Sequence, residues 1–157
     1  MAGGSSRRVN RRLFRSLLIS LLALVSAFAV WTWFRPYAGD PDPNARFTIE
    51  AAEVIRDASY YWINLHLKRN GEADHDLQKD VRLVLGDGHE LEPADTSLVG
   101  SAATGVSDIW LRFWLNEDQL NRPLTLRLNG GSLTVKSTTG QPTLKPNGKR
   151  VFTSHRW

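Results

Sequence analysis

Four histidines, sixteen carboxylates and no cysteine make up the reactive inventory of this 157-residue chain. Without a thiol there is no cysteine nucleophile, no thiolate metal site and no disulfide framework. His66, His75, His89 and His155 include no pair at the i, i+4 spacing that sets two imidazoles on one helix face for zinc. There is no G-x-S-x-G elbow, and Gly105-Val106-Ser107 and Gly131-Ser132 read as turn chemistry. Residues 72–95 hold eight acids against two bases, and Asp74, Asp76 and Asp80 are the ones that would gather round calcium. The EF-hand pattern fails there for want of its glycine and terminal glutamate, so a solvated acidic loop is the plainer reading. A glycosidase would need two carboxylates converging on a cleft. No glycine-rich loop offers to cradle a phosphate. Nothing supplies nucleophile, base and orienter together, and the expectation is a non-catalytic protein without cofactor or resident metal.

The remaining recognition chemistry is aromatic. In SDIWLRFWLNE, residues 107–117, Ile109, Leu111, Phe113 and Leu115 alternate with Trp110, Arg112 and Trp114. A half-buried strand should be apolar on one face and polar on the other, yet here the outer face carries two tryptophans and an arginine. Trp62 has the same standing, because it alternates with Tyr61 and Ile63. Trp and Arg are enriched at interface hot spots. Two fates fit these side chains. They form a partner-binding surface together with Phe152 and Trp157 of the basic C-terminal stretch, or that stretch covers them with the same two rings.

Charge divides the chain into three parts: +5 over residues 1–46, −6 over 47–135 and +5 over 136–157. A nucleic-acid binder carries its positive charge on the folded surface, and an acidic body repels phosphates, so nucleic acid is not an expected partner. From Ser16 to Phe34 run nineteen uncharged, mostly apolar residues, roughly 28 Å as a helix against ~30 Å of hydrocarbon. Arg7, Arg8, Arg11, Arg12 and Arg15 precede the run, and Trp31, Trp33 and Tyr37 sit where an interfacial belt belongs. The arginine excess places the N-terminus in the cytoplasm and the remainder across the membrane. Ala27-Phe28-Ala29 is also an A-x-A-like cleavage site, and Arg11-Arg12-Leu13-Phe14 fits a twin-arginine export signal. Export of the body is common to every one of these readings.

The elements that must position the tryptophans are strands. SYYWINLHLK, VRLVLGDG, the 107–115 segment and the hairpin LTLRLNGGSLTVK all alternate, the hairpin turning at Asn129-Gly130 or Gly130-Gly131. FTIEAAEVIRD fits both a bulged strand and a short helix, because Ala51-Ala52 interrupts its alternation. The expected organisation is a basic cytoplasmic N-terminus (1–15), a transmembrane signal-anchor (16–34), a Pro-rich linker (35–46), an exported β domain (47–137) and a basic tail (138–157). The expected fold is all-β, an immunoglobulin-like β-sandwich. The arrangement resembles small membrane-anchored, immunoglobulin-like bacterial envelope domains, which implies an extracytoplasmic domain at a bacterial-type inner membrane. The function expected is that of an accessory or scaffolding subunit, or an assembly factor, of a membrane protein complex, with the lipid bilayer engaged through 16–34. The alternative is a small-ligand or calcium-binding envelope sensor.

Overall fold

A computed structural model describes residues 6–33, 37 and 42–157, with side chains at 14–31, 37 and 42–157. The chain divides into two compact units, Met1–Arg35 and Pro36–Trp157. The first contains α1 (Ser6–Trp33), whose stretch Phe14–Trp31 has a mean hydropathy of 2.0 and is wholly unburied by protein. Its length and composition suit either a membrane anchor or a signal sequence.

The regular elements of the second unit are nearly all strands. In chain order these are β1 (Phe47–Asp57), β2 (Tyr60–Arg69), β3 (Arg82–Leu85), β4 (Glu90–Leu91), β5 (Asp95–Ser101), β6 (Gly105–Asn116), β7 (Leu124–Leu128), β8 (Gly131–Lys136) and β9 (Lys149–Phe152), with a four-residue helix α2 (Glu117–Leu120) after β6. They form two antiparallel sheets, ordered β5-β6-β2-β1-β9 and β4-β3-β7-β8. The period-two face of β2 (Tyr61, Ile63, Leu65, Leu67) and that of β6 (Ile109, Leu111, Phe113, Leu115) are buried. They join one core cluster with Leu83, Leu85, Leu124, Leu126, Leu128, Leu133 and Val135 from the other sheet.

FTIEAAEVIRD is a strand throughout. Ile49 pairs with Leu67 and Ala51 with His66, leaving Glu50 as the extra residue of a bulge. The bulge shifts the alternation by one, so Phe47 and Ile49 before it and Ala52 and Val54 after it all face inward. The β7–β8 hairpin turns at Asn129-Gly130, because Leu128 pairs with Gly131. Both turn residues have positive φ, 57° and 98°, the backbone a two-residue hairpin of the right twist requires.

The linker and the tail are more structured than composition suggested. Pro43–Ala45 forms a 3₁₀ turn begun by Asp42, whose carboxylate accepts from the Asn44 and Ser132 amides, and Ala45 is fully buried. The tail supplies β9, which pairs with β1 from Ala52↔Phe152 to Ile55↔Lys149. Tyr37, expected in an interfacial aromatic belt, is instead a core residue of the β unit. Its hydroxyl donates to the Val135 carbonyl at 2.9 Å and accepts from Trp157 Nε1 at 2.7 Å, and burial raises its pKa well above the usual phenol range.

Candidate functional site

The outer face of the five-stranded sheet is built on β2 and β6. Register places Trp62 opposite Trp114, Asn64 opposite Arg112 and His66 opposite Trp110. Strand alternation sends all six away from the core, because their neighbours on both strands are the buried residues above. Three contacts run along the ribbon. The Tyr60 and Trp114 rings stack at 4.3 Å, the Arg112 guanidinium lies 4.1 Å over the Trp62 ring, and the His66 and Trp110 rings stack at 4.0 Å within 6° of parallel. Each tryptophan thus has one face occupied by a neighbour. Trp110 and Trp114 nonetheless remain 46% exposed, and Tyr60 41%.

Polar side chains fix the ladder from beneath and beside. His66 Nε2 meets Asp108 Oδ1 at 2.9 Å, and Ser107 Oγ donates to the other Asp108 oxygen at 2.8 Å. These two bonds, His66 first, hold the Asp108 pKa below its ordinary value. Asn64 Nδ2 donates to Glu53 Oε2 at 3.0 Å, and Lys149 approaches the other Glu53 oxygen at 3.2 Å. Hydrogen bonding by Asn64, ahead of Lys149, likewise lowers the Glu53 pKa. Trp62 Nε1 donates to Asp57 Oδ2 at 3.3 Å. Arg112 differs from its neighbours. Asp95 lies opposite it on β5, yet among the described residues its guanidinium meets no carboxylate and no other acceptor, only the Trp62 face.

Between these side chains the sheet opens a groove of about 420 Å³ lined by Glu53, Asn64, His66, Asp95, Trp110 and Arg112. That volume lies in the range of small-ligand clefts. The groove offers aromatic surface, an unengaged guanidinium, an amide and two carboxylates. Such a set suits recognition, by stacking and by charge-assisted hydrogen bonds to a carboxylate.

Trp62, Trp110, Arg112 and Trp114 thus come together on one face, but Phe152 and Trp157 do not join them. Phe152 lies opposite Ala52 and faces inward, on a strand separated from β6 by both β1 and β2. Trp157 stacks on it at 4.4 Å, and both pack against the core. The tail covers the open side of the core rather than the outer tryptophans. In α1, Trp31 is 59% exposed and packs near Phe28, and Arg15 is exposed. Arg11, Arg12 and Trp33 belong to the helix, with side chains outside the described residues.

The acidic segment divides its carboxylates among separate tasks. Asp74 accepts from the His75 and Val106 amides, Asp76 from the Gln78 amide, and Asp80 pairs with Arg82 at 3.1 Å. Among the described residues no group of three His, Asp or Glu side chains is placed to hold a metal.

Two polar residues of structural weight escaped the pattern reading. Asn129 is buried, and its amide binds the Ala45 carbonyl, His75 and the Asp76 amide. Lys136 is buried because a bulge between Leu124 and Thr125 sets it opposite Leu124, facing inward. Its ammonium donates to the carbonyls of Leu120 at 2.6 Å, of Arg122 at 3.4 Å and of Gly140. Alternation would have turned it to solvent, so only the bulge could have revealed it. Comparison with protein-family models, with curated proteins and with solved structures finds no match for this chain.

Proposed function

We propose that the chain is a non-catalytic, single-pass membrane-anchored β-sandwich that serves as an accessory or scaffolding subunit, or assembly factor, of a larger membrane complex. In this reading α1 is retained as a signal-anchor in a bacterial-type inner membrane. The N-terminus is cytoplasmic, and the β unit stands on the extracytoplasmic side. Support for the orientation comes from the arginines ahead of the apolar run and their scarcity behind it. Support for an immunoglobulin-like sandwich comes from strand order. With β1 to β8 taken as A, B, C, C′, D, E, F and G, the sheets are D-E-B-A and C′-C-F-G, the order of that fold, with β9 added beyond A.

The observation that carries the binding role is Arg112. A guanidinium held 4.1 Å over the Trp62 ring, flanked by the exposed Trp110 and Trp114 and meeting no hydrogen-bond acceptor among the described residues, is prepared for an acceptor from outside. The partner surface it fits is apolar with a carboxylate at its centre. The test is purification of the full-length protein in mild detergent from its native membrane, beside Trp110→Ala, Arg112→Ala and Trp114→Ala. The expected result is a stoichiometric partner chain with the unaltered protein and at least tenfold lower occupancy in each variant, with thermal midpoints nearly unchanged. Equal occupancy in all four would reject this surface.

A further inference from the structure

The two sheets have four edges, and three of them are guarded. β4 is two residues long, too short to template a neighbour. β8 is flanked by the Pro43–Ala45 turn, with the Ser132 amide taken by Asp42 and a Gly131 Cβ position only 2.2 Å from the Ala45 nitrogen. β9 carries Lys149 and Arg150, the charged residues that discourage edge pairing. β5 has none of these devices. Its sequence DTSLVGS contains no proline and no basic residue, all seven residues are exposed, and Leu98 and Val99 are 41% and 50% exposed on opposite faces.

We infer that β5 pairs antiparallel with β5 of a second copy of this chain, about a two-fold axis at Ser97. Regular pairing with β6 extends over Asp95–Val99, before the bulge at Val99/Gly100, and Ser97 is the middle of that stretch. The axis sets Ser97 against Ser97, Thr96 against Leu98, and Asp95 against Val99 of the other copy. Each Asp95, the only charge in the strand, then faces an apolar side chain. Parallel pairing would set the two aspartates side by side, and like charges directly opposed are destabilising. A two-fold contact also closes on itself, whereas β5 on β9 of another copy would propagate as a fibre. Five paired residues per copy make a small interface of the weak class, so occupancy depends on the density of copies. The joined sheets would be ten strands wide. Asp95 and Ser97 line the groove, so the two grooves would meet at the axis as one bivalent surface.

The chain has no cysteine, which makes single-cysteine cross-linking clean. Full-length Ser97→Cys and Val151→Cys, the latter an exposed control on β9, are reconstituted in phosphatidylcholine vesicles and oxidised. Cβ atoms directly opposed in a sheet lie about 4.5–5.5 Å apart, within reach of a disulfide after small adjustment. The expected result is a linked dimer for Ser97→Cys at least five times more abundant than for Val151→Cys. Ser97→Lys, which opposes two ammonium groups, should shift the protein from dimer to monomer by light scattering without lowering its thermal midpoint. Equal cross-linking at both positions, none at Ser97, or an unchanged mass for Ser97→Lys would each overturn the inference.

Discussion

At the scale of single residues, burial and exposure assign different work to side chains of the same type. Trp110 and Trp114 contribute a stacked pair each, worth about 0.5–1.5 kcal/mol per contact. Truncating either to alanine should therefore cost the fold little while abolishing partner binding. Leu65→Ala, on the same strand pair but fully buried, should cost about 2–5 kcal/mol through lost transfer energy and a cavity. Denaturant titration of the variants in one detergent separates the two classes. Lys136 makes a pH-dependent prediction. Burial lowers its pKa from the ordinary lysine 10.5 to about 8, so between those values the unfolded chain binds more protons than the folded one. Stability should then rise with pH across that window, and below about pH 8 both states are protonated and this contribution to the slope vanishes. Lys136→Met should flatten the rise. It should also cost about 1–3 kcal/mol, because three carbonyls lose their donor. Urea midpoints from pH 7 to 10.5 measure both effects.

At the scale of elements, the strands with strict alternation were legible in the sequence and the rest were not. β2, β6 and the β7–β8 hairpin bury one face each, so period two survives in their composition. β5 buries neither face, and with no apolar stripe it leaves no pattern to read in the stretch that follows the acidic segment. β9 was hidden differently, because KRVF alternates too briefly and sits among glycine and proline. The outer tryptophans stand where the rule of a wet back face fails, while the groove that Trp110 lines depends on β5 and so required the structure. Phe152 and Trp157 lie against the core and apart from the outer ladder, a placement hidden from the sequence because it cannot say which edge a terminal strand joins. The Asn129-Gly130 turn is the sharpest element-level test. Asn129 adopts φ 57° and makes three side-chain contacts that fasten the Ala45 and His75–Asp76 segments. Asn129→Gly keeps the turn geometry and loses the bonds, and should cost about 1–3 kcal/mol. Asn129→Ala should cost more, because alanine resists that backbone conformation. If the two variants melted at the same temperature, the turn conformation would contribute nothing measurable.

At the scale of the whole molecule, one apolar helix and one β unit with an acidic body are joined in a chain whose net positive charge lies at its ends. The account assigns the helix to the bilayer and the β unit to the far side of it. In sealed right-side-out vesicles, added protease should therefore remove the β unit, and in inverted vesicles it should leave that unit intact. The central claim is that the outer ladder of β2 and β6 is covered by another chain in the native membrane. Hydroxyl-radical footprinting of the full-length protein measures this directly, by comparing the oxidation of Trp110 and Trp114 in native membranes with that of the purified chain in detergent. Both tryptophans should be at least fivefold less reactive in the membrane, with Leu77, exposed on the acidic segment and outside the groove lining, unchanged. Equal reactivity of Trp110 and Trp114 in the two settings would contradict it.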